Sequence, residues 1–246
     1  MEGGCLLGGS VDGKWVKADE MATRMSGGDK YRLLDLTGEY DKNVTGGKPK
    51  SQGAPCEDTQ YVDIPQEFFD SLPQGRRFIG FPGTWNAMPR TAKLENTASP
   101  VYRNVVLSHL RSKGISRPDV KILKIVRVDL EGDGVDEVLI QASRVSRWGE
   151  SNTIKPDPSA GDYSFVMLRK IIGGKIQNIM LDEEYHKKTE RFTAPDEFKL
   201  VAILDLNGDG VMEVITSGEY YEGNWKTVYE IKGNKAVDVI GCGCGA

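Results

Sequence analysis

The chain has 246 residues, 39% of them hydrophobic, and a formal net charge of −4 with 32 Lys and Arg interspersed among 36 Asp and Glu. That is enough apolar material for a packed core in one large or two modest domains, and it excludes a disordered chain. It also excludes nucleic acid as a main partner, because no broad basic field is present, and no run approaches the ~18 apolar residues of a membrane helix.

In chain order, Met1–Leu7 lacks the charged start and long apolar core of a signal peptide. Residues 6–18 read as a hairpin, with Asp12-Gly13 turning between apolar runs. A short helix is expected over Asp19–Met25, with Met21, Ala22 and Met25 on a core face, and Gly27-Gly28 stops it. Tyr31–Leu36 and Tyr61–Ile64 read as strands. Residues 38–60, rich in Gly, Pro and polar side chains, read as a long surface loop. Gln66–Leu72 suggests one or two helical turns burying Phe68, Phe69 and Leu72, and residues 78–88 are left without an assignment.

Ser99-Pro100 opens a helix, with Ser as cap and Pro in the first turn. Val101, Tyr102, Val105, Val106 and Leu110 line one face, and Gly114 closes it; His109 reads as a packed residue. Residues 114–119 then form a boundary between an α+β portion, 1–116, and a repetitive portion, 117–246, which can still share one domain. Cys5, Cys56, Cys242 and Cys244 show no zinc spacing. One or two disulfides are expected of an exported chain and buried thiols otherwise; Cys5 near Cys242 or Cys244 would clasp the termini.

The repetitive portion is organised by two copies of one stretch, Asp129-Leu130-Glu131-Gly132-Asp133-Gly134-Val135-Asp136-Glu137 and Asp205-Leu206-Asn207-Gly208-Asp209-Gly210-Val211-Met212-Glu213. Oxygen-bearing side chains fall at the first, third, fifth and ninth places. Glycines at the fourth and sixth allow the sharp turn that brings those oxygens and a backbone carbonyl around a hard cation. A Glu three places further on and a following helix, which an EF-hand needs, are missing: Ile140 and Thr216 stand there, and strands flank both loops. Each loop should therefore cap a β-hairpin. A second hairpin follows each, turning at Gly173-Gly174 and at Gly233-Asn234, so each unit (about 120–181 and 198–242) holds four strands. Residues 149–162 and 182–197 are extra connections in the first unit.

This pattern resembles the FG-GAP and VCBS repeats of integrin-α-like β-propellers, over about half the chain. The resemblance implies calcium held by Asp129, Glu131, Asp133, the Val135 backbone and Glu137, and by Asp205, Asn207, Asp209, the Val211 backbone and Glu213. It departs from the family in having Glu at the ninth place, and Glu131 at the third place of the first loop. Longer side chains in a tight loop rank the second site above the first. The expected fold is mainly β with a few helices (α+β), made of propeller-like four-stranded blades in an incomplete propeller or a mixed sheet.

Two functions are compatible with such a scaffold. One is a calcium-stabilised, non-enzymatic binding or structural module, outside the cytoplasm (periplasmic, cell-surface or secreted), presenting Arg147-Trp148-Gly149-Glu150 and Tyr220, Tyr221 and Trp225 to glycan or protein. The other is an extracytoplasmic hydrolase using Asp35, Glu39, Glu57 and Asp58 with His186 as base. No nucleophile elbow, phosphate loop or dinucleotide fingerprint supports the second, and His186 sits in what reads as a solvated charged segment.

Overall fold

Turn chemistry and alternation outweigh helical periodicity along most of this chain, and the fold follows. In the computed structural model, which describes residues 3–73, 76–149 and 151–245, strands make up 43% of the protein and 3 helices 10%, so it is mainly β. The first half holds β1 (Gly3–Cys5), β2 (Gly8–Val11), β3 (Lys14–Lys17), α1 (Ala18–Arg24), β4 (Lys30–Leu34), β5 (Asp41–Thr45), β6 (Lys50–Ser51), β7 (Gln60–Asp63), α2 (Gln66–Asp70), β8 (Ile79–Phe81), β9 (Lys93–Leu94) and α3 (Pro100–Ser112). The second half holds β10 (Ile122–Val128), β11 (Glu137–Arg144), β12 (Tyr163–Ile172), β13 (Lys175–Tyr185), β14 (Glu197–Leu204), β15 (Glu213–Glu219), β16 (Asn224–Lys232) and β17 (Lys235–Cys244).

Those last eight strands form two antiparallel meanders, β13-β12-β11-β10, extended by β9, and β14-β15-β16-β17. Both begin with the hairpin that the sequence requires: Val128 faces Glu137 in one and Leu204 faces Glu213 in the other, so the nine-residue stretches sit at equivalent places. Each unit also carries one register irregularity in its first hairpin and one in its second. Among the described residues none of the sheets closes on itself.

Packing places the sheets in successive layers. α3 buries Val106 and Leu110 against Ile140, Phe165 and Met167 on one face of the first meander. The other face, through Val126, Leu139 and Leu168, meets Phe198, Leu200 and Val214 of the second meander. The far side of that meander, through Ala202, Ile215 and Val228, packs on Leu34, Ile79 and Phe81 of the small sheet β5-β4-β8. Strands buried on both faces lose their alternation, which is why β14 reads Glu-Phe-Lys-Leu-Val-Ala-Ile-Leu, with all six of its apolar residues buried and Glu197 buried beside them. Two disulfides, Cys5–Cys242 and Cys56–Cys244, fasten β1 and the turn between β6 and β7 to the last strand.

Several expectations needed correction. Residues 38–60 are not one long loop: β5 pairs along β4, and β6 pairs with β7. The sequence hides β5 because only Val44 is buried while its polar neighbours face water on a sheet edge. Within the unassigned stretch, β8 turns Ile79 and Phe81 inward. Ser99 makes no side-chain cap bond and instead accepts the Arg103 amide through its carbonyl; Val101 on the expected apolar face is 67% exposed. Asp182–Tyr185 belong to β13 rather than to a connection. His186 is buried, not solvated, with Glu184 and Glu190 flanking its two ring nitrogens.

Candidate metal centre

Both loops use their first aspartate to organise the turn. Asp205 accepts the Gly208 amide at 2.7 Å on one oxygen and the Gly210 amide at 3.0 Å on the other. Asp129 does the same with Gly132 at 2.6 Å and Gly134 at 2.8 Å. The glycines are needed for their backbone: Gly208 and Gly210 lie at φ 79° and 87°, Gly132 and Gly134 at 76° and 85°, where a side chain costs about 1–2 kcal/mol. The ninth residue closes each loop from below, Glu213 accepting the Leu206 amide at 2.7 Å and Glu137 the Leu130 amide at 2.9 Å. Both glutamates are buried, at 2% and 3% exposure, because they start strands β15 and β11 and point into the interior.

The loops differ in how their charge is balanced. In the first, the buried Lys170 on β12 pairs with Glu131 and lies 3.8 Å from Glu137. Arg90 adds a second cation, donating to the Asp129 and Leu130 carbonyls. Burial still pushes the Glu137 carboxyl up, with the Leu130 amide and Lys170 opposing. In the second loop no Lys or Arg pairs with Asp205, Asp209 or Glu213 among the described residues. Burial, reinforced by Asp209, Asp205 and Glu230 and opposed by the Leu206 amide, pushes the Glu213 carboxyl up to about 8. Asn207 and Asp209 close on one another, the amide nitrogen donating to Asp209 at 3.0 Å, and Asp209 accepts the Val211 amide at 2.8 Å.

The two loops are neighbours. The Met212 amide donates to the Leu130 carbonyl at 2.9 Å, and Arg90 reaches the Gly210 carbonyl at 2.6 Å. Trp85 donates to the Asp205 carbonyl at 2.7 Å, and the Asp205 amide to the Ala87 carbonyl at 2.8 Å. Residues 85–90 thus brace both loops, a role that nothing in the sequence of that stretch announces. Among the described residues no three carboxylate, imidazole or thiol groups converge as a preformed metal cage. The donor set of the second loop is of the kind a hard cation takes: three carboxylates, one amide oxygen and a backbone carbonyl on nine residues, with no cationic side chain paired to those carboxylates among the described residues.

The other singled-out residues scatter. Asp35 is buried, accepts the Thr37 amide at 3.2 Å, and pairs with Arg76, which also holds Glu39. Glu57 and Asp58 are exposed in the turn beside Cys56, and His186 pairs elsewhere with Glu184 and Glu190. No hydrogen bond or ion pair links the His186 group to the Asp35 group among the described residues. Trp148 is 51% exposed with Lys155 over its ring, whereas Trp225 packs on Phe198 at the core edge. Glu150 lies outside the described residues. Tyr220, Tyr221 and Trp225 line a groove of about 520 Å³ together with Arg77 and Glu219.

No protein-family model matches this chain, and neither a curated protein nor a solved structure does.

Proposed function

We propose that this protein is a calcium-binding β-repeat module of the FG-GAP/VCBS kind, a binding or structural protein rather than an enzyme, whose four-stranded units act as propeller-like blades. The observation that carries the reading is the congruence of the two loops: one hairpin register, one pattern of amide capping and one buried ninth-place Glu, from two separate stretches of sequence. In the second loop, Asp205, Asn207, Asp209, the Val211 carbonyl and Glu213 hold the ion. A bound cation there replaces the missing counter-charge and locks the hairpin tip against residues 85–90. The first loop offers Asp129, Glu131, Asp133, the Val135 carbonyl and Glu137, but Lys170 competes for Glu131 and Glu137, so its affinity is the lower.

The surfaces served by this rigidity are the groove at Tyr220, Tyr221 and Trp225 and the exposed Trp148, where flat rings beside polar groups suit a glycan or a protein loop. An extracytoplasmic location accords with millimolar calcium and with two disulfides, Cys5–Cys242 and Cys56–Cys244. Among the described residues no helix is long and apolar enough to cross a membrane.

The test is thermal unfolding with and without chelator. Calcium at a hundred times its Kd adds about 2.7 kcal/mol to the folded state. Asp209→Ala should abolish most of that response and Asp133→Ala a smaller part. An unchanged melting temperature on adding calcium to chelated protein would reduce both loops to plain turns.

A further inference from the structure

A second site lies in the N-terminal half, away from the loops. Protein interiors rarely leave voids much larger than a water molecule, yet a cavity of about 910 Å³ opens between the core around Tyr31, Leu33 and Val62 and the core around Ile79, Phe81 and Ile240. Its origin is architectural. This half is built from strands of two to five residues in three small sheets, and such short elements cannot fill the space between them.

The walls are largely apolar, with Trp15, Phe69, Phe78, Phe81 and Trp85 among the lining residues. Two polar atoms in the lining lack partners: the Tyr31 hydroxyl, on a residue only 7% exposed, and Asp29 Oδ2. A buried polar atom left unpaired costs about 1–3 kcal/mol, so neither is a neutral passenger. Their placement is rigid. The Asp29 carbonyl accepts the Gly46 amide at 2.9 Å. Tyr31 lies so tightly over Gly46 that a Cβ there would come within 2.5 Å of its ring.

The charges around the cavity decide what would complete it. Arg24 is paired with Glu20, and Arg76 with Asp35 and Glu39; Asp70 and Lys226 also line the cavity, and burial together with Arg77 pushes the Lys226 ammonium pKa down. Among the described residues no Lys or Arg pairs with Asp29. Burial and the nearby Asp29 carboxylate push the Tyr31 phenol up to about 12, so it stays protonated and can both donate and accept. The lining therefore presents a carboxylate acceptor and a neutral hydroxyl in an aromatic-walled space whose volume falls within the range of small-molecule sites.

We propose that this cavity binds an organic ammonium with an apolar body, the ammonium donating to Asp29 Oδ2 and the Tyr31 hydroxyl while the hydrocarbon packs among the aromatic walls. An ammonium supplies several donors and the missing positive charge at once, and aromatic faces attract cations. A carboxylate would face Asp29 with like charge, and a neutral alcohol would supply one donor and no charge.

The experiment is calorimetric titration of the full chain with three probes of similar shape: 2-phenylethylamine, 2-phenylethanol and 3-phenylpropionate. The amine should bind saturably and at least about tenfold more tightly than either of the others, as expected of a charge-assisted bond to a carboxylate oxygen shielded from solvent. Asp29→Asn should erase that preference and Tyr31→Phe should weaken amine binding roughly threefold or more, with the calcium-dependent melting shift unchanged in both. Should Asp29→Asn fail to fold, the amine-to-alcohol ratio in the unsubstituted protein and the Tyr31→Phe variant decide the matter. Equal affinity for amine and alcohol, or no saturation by the amine in the millimolar range, overturns the proposal without touching the calcium loops.

Discussion

The two nine-residue loops share a backbone and differ in charge balance. In each, an aspartate gathers the amides of two glycines and a buried glutamate closes the base. The first loop then has part of its charge offset from within the protein, by Lys170 against Glu131 and Glu137, while among the described residues no lysine pairs with the carboxylates of the second. Backbone geometry alone therefore does not fix the charge balance of such a loop. A single residue on a neighbouring strand, far away in sequence, supplies a counter-charge to one loop.

The largest way to break the comparison is Asp205→Ala, which strands the Gly208 and Gly210 amides. Two charge-assisted bonds at roughly 1.5–3 kcal/mol each suggest a loss of about 3 kcal/mol, measured by urea unfolding, together with the second loop's calcium response. Next comes Lys170→Met, which leaves the Asp129, Glu131, Asp133 and Glu137 carboxylates of the first loop without that counter-charge. Removing one partner of a buried pair costs about 3–5 kcal/mol. Because Glu131 is 34% exposed, about 2 kcal/mol is expected in chelator, and much of it should return on adding calcium. If calcium restores nothing, the lysine is structural and does not occupy an ion's place.

Gly210→Ala and Gly134→Ala should cost about 1–2 kcal/mol each, and equally, because a Cβ at either position meets nothing within 4 Å and only the positive φ is penalised. Unequal costs would show that the loops are less alike than their hydrogen bonds. The smallest effect concerns the connection between the units. Burial, together with Glu184 and Asp182, pushes the Asp196 carboxyl up to about 6 from 3.8, with His186 opposing. A raised carboxyl pKa means that the folded state holds its proton longer than the unfolded chain does. That contribution is fully present below about pH 4, is lost as pH rises through about 6, and is absent above. Since the group is only half buried, solvent screening reduces the effect to about 1 kcal/mol, and Asp196→Asn should flatten this part of a stability profile against pH.

The repetitive half was legible because local and tertiary demands coincide there. The Asp-Gly turn chemistry, the apolar flanks and the second hairpins all favour the same four-stranded meander, and the structure has it in both units. The N-terminal half was legible only in pieces. The β2-β3 hairpin carries its own turn signal in Asp12-Gly13, and α1 its own stop. By contrast β5 is polar on an edge, β6 has two residues, and neither has a local pattern; both exist because β4 and β7 offer main-chain partners. His186 was misread for a related reason, since burial of a charged stretch depends on what folds over it.

By itself, the sequence determined the two hairpin tips, their glycine-dependent turns, the oxygen-bearing residues at alternate places and the strand character of their flanks, because each depends on neighbours a few residues apart. Only the tertiary structure decided that Lys170 offsets part of the charge of one loop, that residues 85–90 brace both, that the cysteines pair Cys5–Cys242 and Cys56–Cys244, and that Asp29 and Tyr31 share a cavity. Charge compensation, bracing and enclosure come from contacts between distant segments, and no local pattern encodes which segments will meet.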